Sequence, residues 1–225
     1  MAFAYSPKIV TDGLVFLYDA KNPKSYPGSG TIWYDISGNG NHATIDGATF
    51  NTDEFQFDGL NDSLSLSSTI TTTPSTGFSF WAVWDLPTQS SSGWNYFLLS
   101  NPAGSHKYEF GKYGTSADSF NFKDNIEQAG TSMTTNIGSG YASYAFGTTS
   151  DGYSFTSVNG AAKTIKNPGI NDYWATAPTY DMEFSNLFTG QSTYFASNCK
   201  MLALYNRELT DTELVMNDKV AYKRK

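Results

Sequence analysis

The chain alternates between short apolar runs and turn-forming clusters along nearly its whole length. Leu14-Val15-Phe16-Leu17-Tyr18 opens the series with no polar interruption, the pattern of a strand apolar on both faces. Phe55-Gln56-Phe57 and Leu64-Ser65-Leu66 alternate with a period of two and predict strands with one wet face. Residues 78–84, Phe-Ser-Phe-Trp-Ala-Val-Trp, are the strongest candidate for a central strand. Further strands are predicted over residues 96–99, 108–110, 120–122, 141–146, 153–158, 161–165, 182–188 and 201–205. Between two of them stands Asn159-Gly160, which predicts a hairpin with a type I′ turn because both residues tolerate positive φ. Residues 22–30 and 69–77 read as polar loops, and residues 115–140, poor in aliphatic side chains, as a long exposed excursion.

One helix stands apart from this pattern. Thr210-Asp211-Thr212-Glu213 is a capping box, in which the Thr hydroxyl and the Glu carboxylate each satisfy the other's free backbone N–H. Leu209 and Leu214 are spaced for a hydrophobic staple, acidic residues fall in the first turn and basic ones follow the last. A helix is predicted over residues 211–221. The elements together predict an antiparallel all-β sandwich or jelly roll with a short C-terminal helix, one domain over residues 1–225. Residues 1–8 read as an arm able to reach a neighbouring subunit, as in a homo-oligomer.

Composition narrows the chemistry. Aromatic residues make up 16% of the chain and charged residues another 16%, a balance suited to pleated, half-buried surfaces joined by tight turns. The net charge of -7 and pI near 4.7 argue against a nucleic-acid partner, because phosphate binding needs a basic footprint. Cys199 is the single cysteine, so no internal disulfide and no multi-cysteine metal site is expected. No segment reaches the roughly 20 apolar residues of a membrane span. Residues 1–10 lack the pattern of a signal peptide, so folding in a cytosol is expected.

Five segments, taken in order, resemble the concanavalin A-like (laminin G-like) family found in virion proteins of tailed bacteriophages. They are Gly13-Leu-Val-Phe-Leu-Tyr-Asp19; Tyr26-Pro-Gly-Ser-Gly30 leading into Trp33-x-Asp35-x-Ser37-Gly38-Asn39-Gly40-Asn41; and Phe57-Asp58-Gly59-x-x-Asp62-x-Leu64. Val158-Asn159-Gly160 and Tyr205-Asn206-Arg207-x-Leu209-x-x-x-Glu213-Leu214 complete the set. Turn chemistry alone accounts for most of these residues: Asp35 can accept backbone N–H groups across its turn, and Trp33 would cover the edge of the core. The resemblance implies a non-enzymatic virion component, a capsid decoration or tail-associated protein, made in the host cytoplasm and working through contacts with other virion proteins.

Two other functions are weighed against that expectation. A lectin-like module for host-surface glycans would need exposed aromatic platforms beside polar groups, and Trp94, Tyr96, Tyr173 and Trp174 are the loop candidates. A retaining glycosidase would need two carboxylates about 5 Å apart. The family's hydrolases resemble a Glu-x-Asp-x-Glu pattern, which this chain lacks; its nearest approach is Asp181-Met182-Glu183. No enzyme is therefore expected. Calcium is the one ion considered, with Asp58, Asn61 and Asp62 as ligands that the resemblance and the oxygen-rich turn both allow. His42 and His106 lack any nucleophile turn nearby and read as surface loop residues.

Overall fold

A computed structural model describes residues 8–72, 76–85, 94–100, 108–113, 120–124, 140–151, 153–166, 182–187 and 196–223. These residues form fifteen strands and one helix, all strand pairs being antiparallel. The sandwich expected from the strand pattern is present.

One sheet is built on β7 (Phe78–Asp85) and β15 (Ser197–Tyr205). Its order runs β13 (Thr164–Lys166), β12 (Ser154–Val158), β11 (Tyr141–Thr148), β7, β15, β5 (Glu54–Phe57) and β4 (Thr49–Asn51). The far edge of β15 is shared: residues 197–199 pair with β5, and residues 201–205 pair with β1 (Leu14–Asp19). The other sheet runs β10 (Phe120–Asp124), β9 (Tyr108–Tyr113), β8 (Trp94–Ser100), β14 (Met182–Leu187), β6 (Ser63–Thr72), β3 (Ala43–Asp46) and β2 (Ile32–Trp33).

The apolar run of β7 from Phe80 to Trp84 has a direct cause: its sheet is covered on both sides. Phe80, Ala82 and Trp84 face the second sheet, where they join Phe16, Tyr18, Trp33, Phe55, Phe146, Leu202 and Leu204 in the main core. Trp81 and Val83 point the opposite way and pack with Leu17, Met201, Ala203, Tyr205, Leu209 and Leu214. That second layer is roofed by α1 (Asp211–Ala221) and by residues around Val10. Each large side chain so buried contributes roughly 1.5–3 kcal/mol.

The roof is tied down by polar groups with little freedom. Val10 N–H donates to Asn217 Oδ1 at 2.9 Å, Asn217 Nδ2 donates to the Tyr205 hydroxyl at 3.0 Å, and that hydroxyl donates to the Val10 carbonyl at 3.1 Å. The capping box forms as predicted, and the helix occupies the predicted span. Asn159 (φ 53) and Gly160 (φ 67) make the predicted tight turn, and Gly160 lies against Val215 and Asp218 of the helix. The returning strand is shorter than expected, because ladder pairing resumes only at Thr164. Residues 69–72, expected in a loop, extend β6.

Arg207 links the helix start to the rest. Its Nη1 and Nη2 donate to the two Glu213 oxygens at 3.0 and 2.6 Å, and its Nε lies 2.8 Å from Asp12 Oδ2. Together with the Thr210 N–H at 2.8 Å, the guanidinium holds the Glu213 carboxyl down at about 2. A carboxyl whose folded pKa lies below its unfolded value near 4.3 stabilises the fold fully above that value, and the contribution fades as pH falls towards 2. Thermal unfolding between pH 6 and pH 2 should therefore show a stability loss below about pH 4.5 that is smaller in Glu213→Gln, which starts from a lower plateau. Parallel pH profiles for the two proteins would contradict this assignment.

Candidate functional site: the outer face of the second sheet

The motif around Asp35 explains itself first. On the edge that does not pair with β15, β1 meets no further strand among the described residues; the loop after β2 takes that place. Asp35 Oδ1 accepts the Leu17 N–H at 2.9 Å and the Ser37 N–H at 2.8 Å, while Oδ2 accepts the Ser37 hydroxyl at 2.8 Å and the Asn41 N–H at 3.1 Å. Ile36 N–H donates to the Leu17 carbonyl at 2.9 Å. Asn39 and Asn41 Nδ2 donate to the Val15 carbonyl at 3.1 and 2.9 Å. An exposed strand edge is an invitation to foreign pairing, and here side chains close it. Trp33, fully buried, covers the core edge as expected.

This loop carries an exposed aromatic ring beside polar side chains. Along β2 and β3 the inward positions are Trp33, Ala43 and Ile45, so Ile32, Tyr34, His42 and Thr44 face out. Ile32, Thr44 and Ser65 stand in one row of the register, and Asp46 stands opposite Ser63. One row further, the Tyr34 and His42 rings meet edge to face at 5.3 Å, and Ser67 N–H donates to the His42 carbonyl at 2.8 Å. Tyr34 is 41% exposed.

His42 is more than a surface loop residue. Its Nδ1 accepts the Asp35 N–H at 3.1 Å, which assigns the neutral ring its proton at Nε2. Neither that Nε2–H nor the hydroxyls of Thr44, Ser65 and Ser67 have a protein partner among the described residues. The face thus offers one ring for stacking, one fixed donor and several hydroxyls that can both give and accept hydrogen bonds. Sequence reasoning missed it because β2 and β3 are two and four residues long and the contact between Tyr34 and His42 arises only when they pair. The alternation Ala43-Thr44-Ile45-Asp46 was the available signal.

The other predicted site residues fare differently. Asp58, Asn61 and Asp62 share the turn between β5 and β6, but its carboxylates are used by the backbone. Asp62 Oδ2 accepts the Asp58 N–H at 2.7 Å, and Asp58 Oδ1 accepts the Leu60 N–H at 2.7 Å. Burial pushes the Asp62 carboxyl upward; the Asp58 N–H opposes this, and the charges of Asp58 and Asp46 add to it. Among the described residues no group of three His, Cys, Asp or Glu side chains gathers at one place. Trp94 and Tyr96 fall on β8, where only the backbone is described, and Tyr173 and Trp174 lie outside the described residues, as does Asp181. Glu183 stands opposite Thr71 on β14.

No family model and no curated protein matches the chain. Solved structures do match. Trypanosoma rangeli sialidase in complex with the inhibitor DANA superposes with a TM-score of 0.68 at 14% identity, over 97% of this chain and 34% of the sialidase. The same sialidase in complex with sialic acid gives 0.64 at 14% identity, over 92% and 32%. The binding domain of botulinum neurotoxin DC in complex with SialylT gives 0.65 at 11% identity, over 94% and 52%, and the same domain is also matched in complex with rat synaptotagmin II. The chain spans about a third of the sialidase and about half of the toxin chain. At these identities the likeness establishes the fold.

The comparison also corrects the expectation of a phage virion protein, since these neighbours are sialidases and a toxin binding domain. The physical reason lies in the motifs that carried the resemblance. Asp35, Asn39 and Asn41 close a strand edge, Asp58 and Asp62 build a turn, and Arg207 and Glu213 fasten a helix. Such residues specify a sandwich and hold no information about an assembly. The chain is an all-β antiparallel sandwich with a short C-terminal helix, similar in fold to sialidase and toxin domains that are seen with glycan or protein ligands.

Proposed function

We propose that this protein is a non-catalytic glycan-binding module that holds its ligand on the outer face of the second sheet. The observation that carries this reading is the exposed Tyr34 ring, set edge to face against His42 beside the hydroxyls of Thr44, Ser65 and Ser67, which have no partner among the described residues. A sugar's apolar face stacks on a ring while its hydroxyls need groups that both donate and accept. The bound sialic acid and SialylT of the structural neighbours support the same ligand class. At about 0.3 kcal/mol per non-hydrogen atom, a saccharide unit of about 12 such atoms would bind with a Kd on the order of 1 mM, so avidity through several copies is expected.

The test is a glycan array probed with the multimerised protein, including sialylated and neutral glycans. Tyr34→Ala should lower the bound signal at least tenfold while leaving the thermal unfolding temperature within about 2 °C of the parent, since the ring is exposed. Absence of any signal above background, or signal indifferent to Tyr34→Ala, would overturn the site. Release of free sugar from the bound glycans during a long incubation would overturn the non-catalytic part alone.

A further inference from the structure

Four neighbouring strands of the first sheet place a second polar row on its outer surface. Gln56 of β5 stands opposite Asn198 of β15, Asn198 opposite Asp85 of β7, and Asp85 opposite Tyr141 of β11. All four are half-buried. They share the face of Trp81 and Val83, which elsewhere is apolar and roofed by α1. A polar row there needs an explanation that packing does not give.

The two ends of the row are fixed. Glu54 accepts the Gln56 amide at 3.1 Å through Oε1 and the Tyr141 hydroxyl through Oε2. Lys200 is the extra residue of a bulge between Cys199 and Met201. Bulges re-aim side chains, and here the Lys200 ammonium lies 4.2 Å from the Tyr141 ring centre and 3.4 Å from Asp53 Oδ2, with Lys21 a further 4.0 Å partner of Asp53. The two middle members are open: neither Asp85 nor Asn198 has a side-chain hydrogen bond or ion pair among the described residues.

We infer that this row is a second glycan-binding surface, one that takes a neutral, linear oligosaccharide laid across strands β5, β15, β7 and β11. Asp85 supplies acceptors, Asn198 supplies both donors and an acceptor, and adjacent sugar hydroxyls require that combination. Three interstrand spacings of about 4.8 Å make the row about 14 Å long, which suits several sugar units rather than one. With Lys200 and Lys21 already paired to Asp53, the half-buried carboxylate of Asp85 disfavours sialylated or phosphorylated ligands by like-charge repulsion. The inference rests on the glycan-binding reading but uses the opposite side of the sandwich.

Amide-resolved titration of the whole chain with cellohexaose, laminarihexaose and maltohexaose tests it. At least one hexasaccharide should shift the amides of Asp85 and Asn198, with affinity rising about tenfold from disaccharide to tetrasaccharide. Asp85→Ala and, independently, Asn198→Ala should each weaken that binding about tenfold, whereas Tyr34→Ala should leave the titration of the Asp85 and Asn198 amides unchanged. If hexasaccharide binding depends on Tyr34 and ignores both Asp85→Ala and Asn198→Ala, the second surface is overturned while the first reading stands. If it depends on Asp85 and Asn198 and the array signal ignores Tyr34, the reverse holds. If none of the three hexasaccharides shifts an amide, the second surface falls, and the array alone decides the first reading.

Discussion

Asp35→Ala should lower the unfolding free energy by about 3–4 kcal/mol, which for a chain of this length corresponds to a loss of about 10 °C in thermal midpoint. One side chain here takes four hydrogen bonds, and the Leu17 N–H it satisfies belongs to a buried strand residue. Removing an acceptor leaves that donor with its full desolvation cost, which is larger than the net value of the bond. Asp35→Asn should recover little, because its NH2 group would face donors wherever it points. Ser37→Ala, which keeps the contacts to Leu17 and Asn41, should cost only about 1 kcal/mol. Urea and thermal unfolding of the three variants would decide the matter; a midpoint for Asp35→Ala within 2 °C of the parent would show that the loop does not hold β1 in place.

Gly147→Ala should cost above about 3 kcal/mol or prevent folding, a larger effect than a single methyl usually has in a core. Gly147 lies within β11, flanked in register by Ser79 of β7 and Phe155 of β12. A Cβ there would sit 2.0 Å from the Phe78 carbonyl oxygen, 2.9 Å from its carbon and 3.1 Å from Phe155 Cε1. The first two are backbone atoms, so no rotamer change relieves the contact, and the central strand itself would have to move. Gly140, at the start of the same strand, has open space around the same position and positive φ, so Gly140→Ala should show only the backbone strain of about 1–3 kcal/mol. Soluble yield and unfolding midpoint of the two variants separate the causes. Equal behaviour would show that the crowding at Gly147 relaxes freely.

What could be read from the sequence was whatever depends on local pattern. The helix announced itself through Thr210 and Glu213, whose spacing creates the cap without help from the rest of the fold. The central strand was legible because Phe80 to Trp84 is continuously apolar, the pattern of a strand buried on both sides. The strands β2 and β4 were not, since two or three residues carry no period, and β3 offered only the brief alternation of Ala43 to Asp46. They are strands because β5 and β6 pair with β4 and β3.

The site was less accessible for the same reason. Tyr34 and His42 are eight positions apart in a stretch rich in glycine and asparagine, and nothing in that spacing brings their rings together. The aromatic pairs chosen from sequence were chosen by adjacency, as in Trp94-Asn95-Tyr96. Such pairs come from a single segment, whereas a binding surface gathers residues from different strands on one face. The polar row of Gln56, Asn198, Asp85 and Tyr141 makes the point more strongly, because its members come from four strands spread over 143 positions of the chain.

The layer that roofs the first sheet sets the order in which the molecule can mature on the ribosome. Trp81 and Val83 emerge well over a hundred residues before Met201, Tyr205 and Leu214, the partners that cover them. During that interval the nascent chain carries an uncovered indole and the unpaired flank of β7, and it cannot close until the last strand slots between β1 and β7. Maturation is then a late, concerted event in which one strand joins segments made at the start and in the middle of synthesis. Until then a cell must keep the half-made sheet from sticking to its neighbours.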